Sequence, residues 1–248
     1  MTRSGATHLC VPRHIRITSS ASGATFALNL RSGHWYVLNH LATTLWQEIL
    51  RTGDSDRAAD TLANQHPRLT PEEFRRNARL LFTDLTEQGL LSLRSGVPTA
   101  EHLPMIAQSK PLGSMAAAAA RPSRWMLFLA HIGLLAAFCL LRLPFHLTFR
   151  IVGALTSRWC ARATSQSEAL VTVAAVEAAA DRYPGRAACL ERSLGCVITA
   201  ALSRQGLRWV IGVAEDPCRF HAWVETDGIA VTRSPAPHID TFTRVLST

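Results

Sequence analysis

Two side chains in the C-terminal third have the types and spacing for thiol chemistry. Cys189 lies in the first turn of a helix expected over residues 187–204, just after Pro184-Gly185. A thiol there meets the positive end of the helix dipole and unpaired backbone N–H groups, which favour the thiolate and can hold an oxyanion. His221 sits in a strand expected over Arg219–Thr226, which would pack on that helix and bring a general base towards the sulfur. A cysteine at a helix start with a histidine on a following strand is the ground plan of a cysteine protease. A plainer reading stands beside it. In a chain with six cysteines Cys189 could be structural, and a histidine between Phe220 and Ala222 could simply pack.

The imidazole also needs a group to orient it. Asp227-Gly228 reads as a two-residue hairpin turn, so Thr226 pairs with Ile229 and His221 falls opposite Ser234. An orienting carboxylate therefore belongs near 232–236, where the chain reads Thr-Arg-Ser-Pro-Ala. Glu225 shares the face of His221 but lies about 13 Å along the strand, and Asp227 about 20 Å, at about 3.3 Å per residue. Asp240 is the only later acid and could fold back. Otherwise the chemistry falls to a Cys–His dyad with Ser234 or Thr232 orienting the ring. The Tyr183 hydroxyl either donates to an oxyanion or belongs to an apolar anchor before the Pro-Gly turn. Trp209 and Trp223 alternate in their strands and read as core. Cys196 is about 10 Å up the same helix face from Cys189 and reads as packing.

The elements around these residues form an α+β chain with two ends of different character. Residues 1–95 read as a small winged-helix-like domain. Runs at 25–30 and Trp35–Leu38 make a hairpin around Arg31-Ser32-Gly33-His34. Leu41, Leu45, Trp46, Ile49 and Leu50 then recur at helical spacing up to Gly53, and Asp54-Ser55 starts a second helix through Leu62. Thr70-Pro71-Glu72-Glu73 starts a third as a capping box with proline at its first position, and Gly89 stops it before a short strand at 90–93. The expected working surface is the edge strand, Trp35, Tyr36, Val37 and Leu38. A peptide could add there as an extra strand, with Arg75, Arg76 and Arg79 either pairing with acidic peptide residues or standing as a solvated helix face.

Residues 96–123 carry four prolines and five consecutive alanines and read as a linker. Residues 124–248 form the second domain, with an apolar helical lead-in. From Trp125 to Leu141 seventeen residues are uncharged, short of the roughly 20 a membrane span needs. A buried or interfacial helix is expected, and Arg121, Arg124, Arg142 and Arg150 would suit peripheral contact with an anionic membrane surface. A helix at 167–182, strands at 207–215 and Arg219–Thr226, and a return strand at 229–233 complete the reading.

Composition narrows the function. The chain has 248 residues, a net charge of +8 and 48% hydrophobic residues, too apolar for a disordered protein. The first 95 residues hold 11 basic and 8 acidic groups, 96–165 hold 7 and 1, and 166–248 hold 8 and 9, so the excess is not on any recognition helix. The third helix begins with Glu72 and Glu73, which would repel phosphate, so no nucleic-acid partner is expected. The cysteines, at 10, 139, 160, 189, 196 and 218, form no CxxC and no zinc-site pattern, so no metal is expected. No apolar export segment follows the first residues, so reduced thiols in the cytoplasm are expected.

The words Ala188-Cys189-Leu190-Glu191-Arg192-Ser193-Leu194, Gly206-Leu207, Ile211-Gly212-Val213 and Phe220-His221-Ala222-Trp223-Val224-Glu225 with Asp227-Gly228 resemble the transglutaminase-like, papain-like peptidase of lasso-peptide B proteins. Leu38-Asn39, Leu45-Trp46 and the run from Leu85 to Gly89-Leu90-Leu91 resemble the leader-recognition element of ribosomal-peptide pathways. The resemblance covers about 1–95 and 165–248. It implies that one half binds the leader of a precursor peptide and the other removes it, with Cys189 as nucleophile and His221 as base. A partner cyclase of the asparagine-synthetase type would then close the macrolactam with ATP, the peptidase needing no cofactor of its own. The family usually has Asp about a dozen positions after the histidine, where this chain has Arg233. Two alternatives follow: a scaffold that delivers precursor to the cyclase, and a winged-helix DNA-binding regulator.

Overall fold

The computed structural model describes residues 7–20, 23–63, 70–95, 114–116, 121–160, 162–215, 218–232 and 239–248. The chain divides into two compact units whose boundary falls between residues 95 and 114.

The first unit runs β1 (Thr7–Cys10), β2 (Ile15–Ser19), β3 (Thr25–Asn29), β4 (Trp35–Leu38), α1 (His40–Thr52), α2 (Ser55–Ala63), α3 (Pro71–Glu87) and β5 (Ser92–Ser95). The expected hairpin is β3–β4, with Thr25 opposite Leu38 and Leu28 opposite Trp35. It is part of a three-stranded antiparallel sheet, because β2 pairs with the other edge of β3. A further strand, β1, pairs antiparallel with β5. The expectation of one hairpin plus three helices therefore missed β1 and β2. Both are short, and β1 is paired only through a partner more than eighty residues away, so no local turn announces it. Ile15, Ile17, Ala27 and Leu38 of the sheet close a core with Trp46, Ile49, Leu85 and Leu90. The α3 start is as expected: Thr70 accepts from Glu73 N–H at 3.3 Å while Glu73 accepts from Thr70 N–H at 2.9 Å.

The second unit comprises β6 (Ser114–Ala116), α4 (Arg124–Leu140), α5 (Phe145–Arg158), β7 (Arg162–Ala163), α6 (Gln166–Ala180), α7 (Cys189–Leu202), β8 (Gln205–Gly206), β9 (Arg208–Ala214), β10 (Arg219–Thr226), β11 (Ile229–Thr232), a 3-10 turn (Ile239–Thr241) and β12 (Thr243–Ser247). The main sheet has the order β12-β9-β10-β11-β6. Part of the stretch read as linker is thus a strand: β6 pairs parallel with β11, Val231 opposite Met115. An alanine- and serine-rich run carries no alternating pattern to reveal it. The rest of that stretch up to residue 120 lies outside the described residues.

The meander behaves as its turn dictates. Asp227 and Gly228 both take positive φ, 51° and 78°, and Thr226 pairs with Ile229. On the other side β9 pairs antiparallel with β10, and β12 adds to the far edge of β9.

α7 packs on β9 and β10 and is wrapped by α4 and α6. The approach of α4 is close because Gly133 has no side chain. A Cβ there would stand 2.2 Å from Thr199 Oγ1 and 2.9 Å from the Gly195 carbonyl oxygen. α4 buries Leu129, Ala130, Gly133, Leu134 and Ala137, so the expected apolar lead-in is a structural helix of this unit. Among the described residues, no helix is long and apolar enough to cross a membrane.

Candidate functional site

Cys189 is the first residue of α7 and is half-buried. Ala188 occupies the N-cap and offers no side-chain acceptor. The neighbouring side chains fix this helix start in ways the sequence reading did not identify. Glu191 reaches back and accepts from the Ala188 N–H at 3.0 Å. Arg192 donates to the Ala187 carbonyl at 2.8 Å and pairs with Glu177 of α6. Ser193 accepts the indole N–H of Trp209 at 2.9 Å, tying the helix to β9. Each residue from Glu191 to Ser193 therefore holds the turn that presents the thiol. Cys196 is buried, and burial pushes its thiol well above the ordinary cysteine value, which keeps it protonated and inert.

His221 lies on β10, opposite Gly212 of β9. Burial lowers its pKa below the ordinary histidine value, so the neutral ring, the form that can accept a proton, is favoured. Its ring is stacked on Trp223, with centroids 6.1 Å apart, and tilted against Phe242 at 5.5 Å. Trp223 is itself locked. Its indole N–H donates to Glu225 at 2.7 Å, and Arg244 from β12 grips the same carboxylate through Nε at 3.0 Å and Nη2 at 2.9 Å. Gly212 makes room for this shelf, since a Cβ there would stand 2.5 Å from the Trp223 ring and 2.6 Å from the Thr243 carbonyl oxygen.

Side-chain alternation sorts the strand into two faces. Val224 pairs with Trp209, whose indole meets α7, so Ala222 and Val224 share the helix-facing side. His221, Trp223 and Glu225 occupy the other. The helix and the strand pack together, yet the ring contacts of His221 are with Trp223 and Phe242, and among the described residues no hydrogen bond joins Cys189 to His221. The expectation that β10 carries His221 towards the Cys189 sulfur is therefore not met in this structure: the strand does pack on α7, but its alternation turns the imidazole to the other face of the sheet.

Asp240 is exposed in the 3-10 turn, two residues before the Phe242 that packs on His221. The chain does return to the face of the imidazole there, although no hydrogen bond joins the two side chains among the described residues. Thr232 ends β11, and Arg233 and Ser234 lie outside the described residues. Tyr183 stacks on Phe138 of α4 with centroids 4.6 Å apart. With His131, Leu135, Phe138 and Arg182 it lines a mainly apolar cavity of about 290 Å³. No group of three His, Cys, Asp or Glu among the described residues could hold a metal ion.

In the first unit β4 is an edge strand among the described residues, paired only with β3. Val37 is exposed, Leu38 is buried, Trp35 is half-buried, and Tyr36 packs on the core and donates from its hydroxyl to Gln88 at 3.1 Å. Two arginines of α3, Arg75 and Arg79, are engaged within the unit. Arg75 pairs with Asp60 at 2.7 Å, and Arg79 grips Asp56 with two bonds of 2.7 and 2.6 Å. Together with Arg76 and Leu80 they line an open groove of about 420 Å³ on the outer side of α3.

Comparison with known families agrees with this division. Residues 25–91 match the family described as coenzyme PQQ synthesis protein D (PqqD), and residues 138–247 match the transglutaminase-like superfamily. The chain thus joins a PqqD-like segment to a transglutaminase-like domain. No curated protein and no solved structure matches it. The two domains in this order match the architecture of lasso-peptide B proteins.

Proposed function

We propose that this chain removes the leader from a lasso-peptide precursor before a partner cyclase of the asparagine-synthetase type closes the ring with ATP. The observation that carries the reading is Cys189 as the first residue of α7, behind an Ala188 N-cap that has no side-chain acceptor, on a transglutaminase-like domain fused to a PqqD-like element. The leader adds as a strand to β4. The Cys189 thiolate attacks the carbonyl carbon of the last leader residue, and the oxyanion is held by N–H groups at the head of α7, with the Tyr183 hydroxyl as a further donor. For His221 to serve as the base, its ring must leave the Trp223 and Phe242 shelf and reach the sulfur when substrate binds; it then takes the thiol proton and returns it to the departing amine, which is the new N-terminus of the core. Water then hydrolyses the thioester and releases the leader carboxylate. The shelf of Trp223 and Phe242 sets the ring plane before that movement, and Asp240 is the candidate to orient the imidazole; without it the pair works as a dyad.

The test is cleavage of the cognate precursor beside peptide titration. Cys189→Ala should abolish leader removal and leave leader affinity unchanged, and His221→Ala should do the same. Cys189→Ala turning over like wild type would refute the peptidase reading. Inactive wild-type protein, with precursor and cyclase present, would support the delivery scaffold. Salt-sensitive DNA binding would support the regulator.

A further inference from the structure

α4 is apolar all round, yet it packs on α6 and α7 with only one side, formed mainly by its small residues. The opposite side carries Trp125, Phe128, Ile132, Leu135 and Cys139, spaced three and four residues apart and therefore aligned as one stripe. Its large members are uncovered, with relative exposures of 66% for Trp125, 54% for Phe128, 41% for Ile132 and 64% for Leu135. Leu135 also lines the cavity with Phe138 and Tyr183, so the apolar surface continues to the loop that precedes Cys189. Such a contiguous patch on a soluble surface marks a docking face.

We propose that this stripe docks on the interface of an anionic lipid bilayer, with α4 lying in the membrane plane. The charges around it select that occupant. Arg121 and Arg124 at one end of the helix and Arg142 just past the other are exposed. The sequence has no Asp or Glu from residue 102 to residue 167. α5 repeats the pattern, with exposed Leu147 and Ile151 beside exposed Arg150, Arg158 and Trp159. Asp181, the acid beside the cavity-lining Arg182, lies 4.0 Å from Arg192, which offsets its charge. An aromatic and aliphatic face rimmed by arginines is the composition of an interfacial helix. At 17 residues α4 is about 25 Å long, less than the roughly 30 Å of a hydrocarbon core, so it lies on the bilayer rather than across it. A second copy on the same stripe would set like-charged arginine rims against each other.

The experiment is co-sedimentation of the full chain with vesicles of phosphatidylcholine alone or phosphatidylcholine with phosphatidylglycerol. Binding is expected on the mixed vesicles and should fall between about 0.1 M and about 0.5 M salt, as screening weakens the arginine contacts. Phe128→Ser with Leu135→Ser, both on the exposed side, should lower the partition coefficient roughly tenfold or more. Arg124→Glu with Arg142→Glu should weaken binding to the mixed vesicles while leaving the apolar stripe intact, and serves as an independent readout. A wild-type chain that stays in the supernatant with both vesicle types overturns the proposal. So does equal binding to neutral and anionic vesicles. A concentration-dependent dimer in sedimentation velocity, lost with Phe128→Ser and Leu135→Ser and unaccompanied by vesicle binding, would overturn it in favour of a second copy.

Discussion

Arg244→Met should destabilise the second unit far more than Glu225→Gln, although each substitution removes one partner of the same pair. The Glu225 side chain has no solvent exposure, whereas that of Arg244 is 13% exposed. Among the described residues the carboxylate accepts three hydrogen bonds, two from Arg244 and one from Trp223. Removing Arg244 deletes two charge-assisted bonds at about 1.5–3 kcal/mol each and strands a buried anion on a single indole donor. The expected loss is about 3–5 kcal/mol, as for other buried pairs broken on one side. Glu225→Gln keeps the shape and one amide acceptor, and Arg244 retains the Gly228 carbonyl at 3.2 Å and some access to water. Its cost should be about 1–3 kcal/mol. Scanning calorimetry of the full chain should then show the transition of the second unit lowered by roughly 10 °C or more for Arg244→Met and by clearly less for Glu225→Gln. Arg244→Met combined with Glu225→Leu should recover most of the loss, since an apolar replacement leaves no unpaired charge. Equal melting of Arg244→Met and wild type, or a larger loss for Glu225→Gln, would refute the reasoning.

Two further outcomes follow from the same geometry. Val37→Pro on the β4 edge should weaken leader affinity by removing a main-chain donor, while the melting transition of the second unit stays in place; unchanged affinity in a titration would exclude this edge. Because burial lowers the pKa of His221, the fold prefers the neutral ring and the unfolded chain binds the extra proton first. The histidine's contribution to stability is therefore complete above about pH 6.5 and is lost as pH falls through that value towards the lowered one, so His221→Phe should reduce the drop in denaturation midpoint between about pH 7.5 and about pH 5.

What the sequence made legible was what is decided locally. The Thr70-Pro71-Glu73 box placed the start of α3, and Asp227-Gly228 set the register of β10 against β11 to the residue. β1, β6 and β12 were not legible, because each is recruited by an edge far away in the chain. α5 went unassigned for a different reason: its start carries no side-chain cap, Pro144 standing at the N-cap without a hydrogen-bonding side chain. At the candidate site the types of Cys189 and His221 were readable and their carriers, α7 and β10, follow. The shelf beneath the imidazole was not, because Arg244 comes from β12, and a lone arginine in a short C-terminal run carries no mark of a buried partner. Glu225 was set aside on its distance along the strand, yet it acts on the ring next to His221 through the intervening Trp223.

If the leader docks on β4 as proposed, recognition and stability fall to different residues of the first unit. Arg75 and Arg79 had two readings, cationic partners for an acidic peptide or a solvated face, and in the structure both are engaged by Asp60 and Asp56 of α2. These pairs are exposed, so each is worth little to stability, and an acidic peptide would have to compete with a partner already in place. On β4 the main-chain groups of Val37 alternate to the side away from β3, no further strand pairs there among the described residues, and the Val37 side chain is uncovered. Strand addition there would draw its affinity from backbone hydrogen bonds, which nearly every residue of a peptide can make, and its selectivity from alternate side chains. A recognition element built on that principle should read a short apolar pattern in the leader and tolerate changes of its charge.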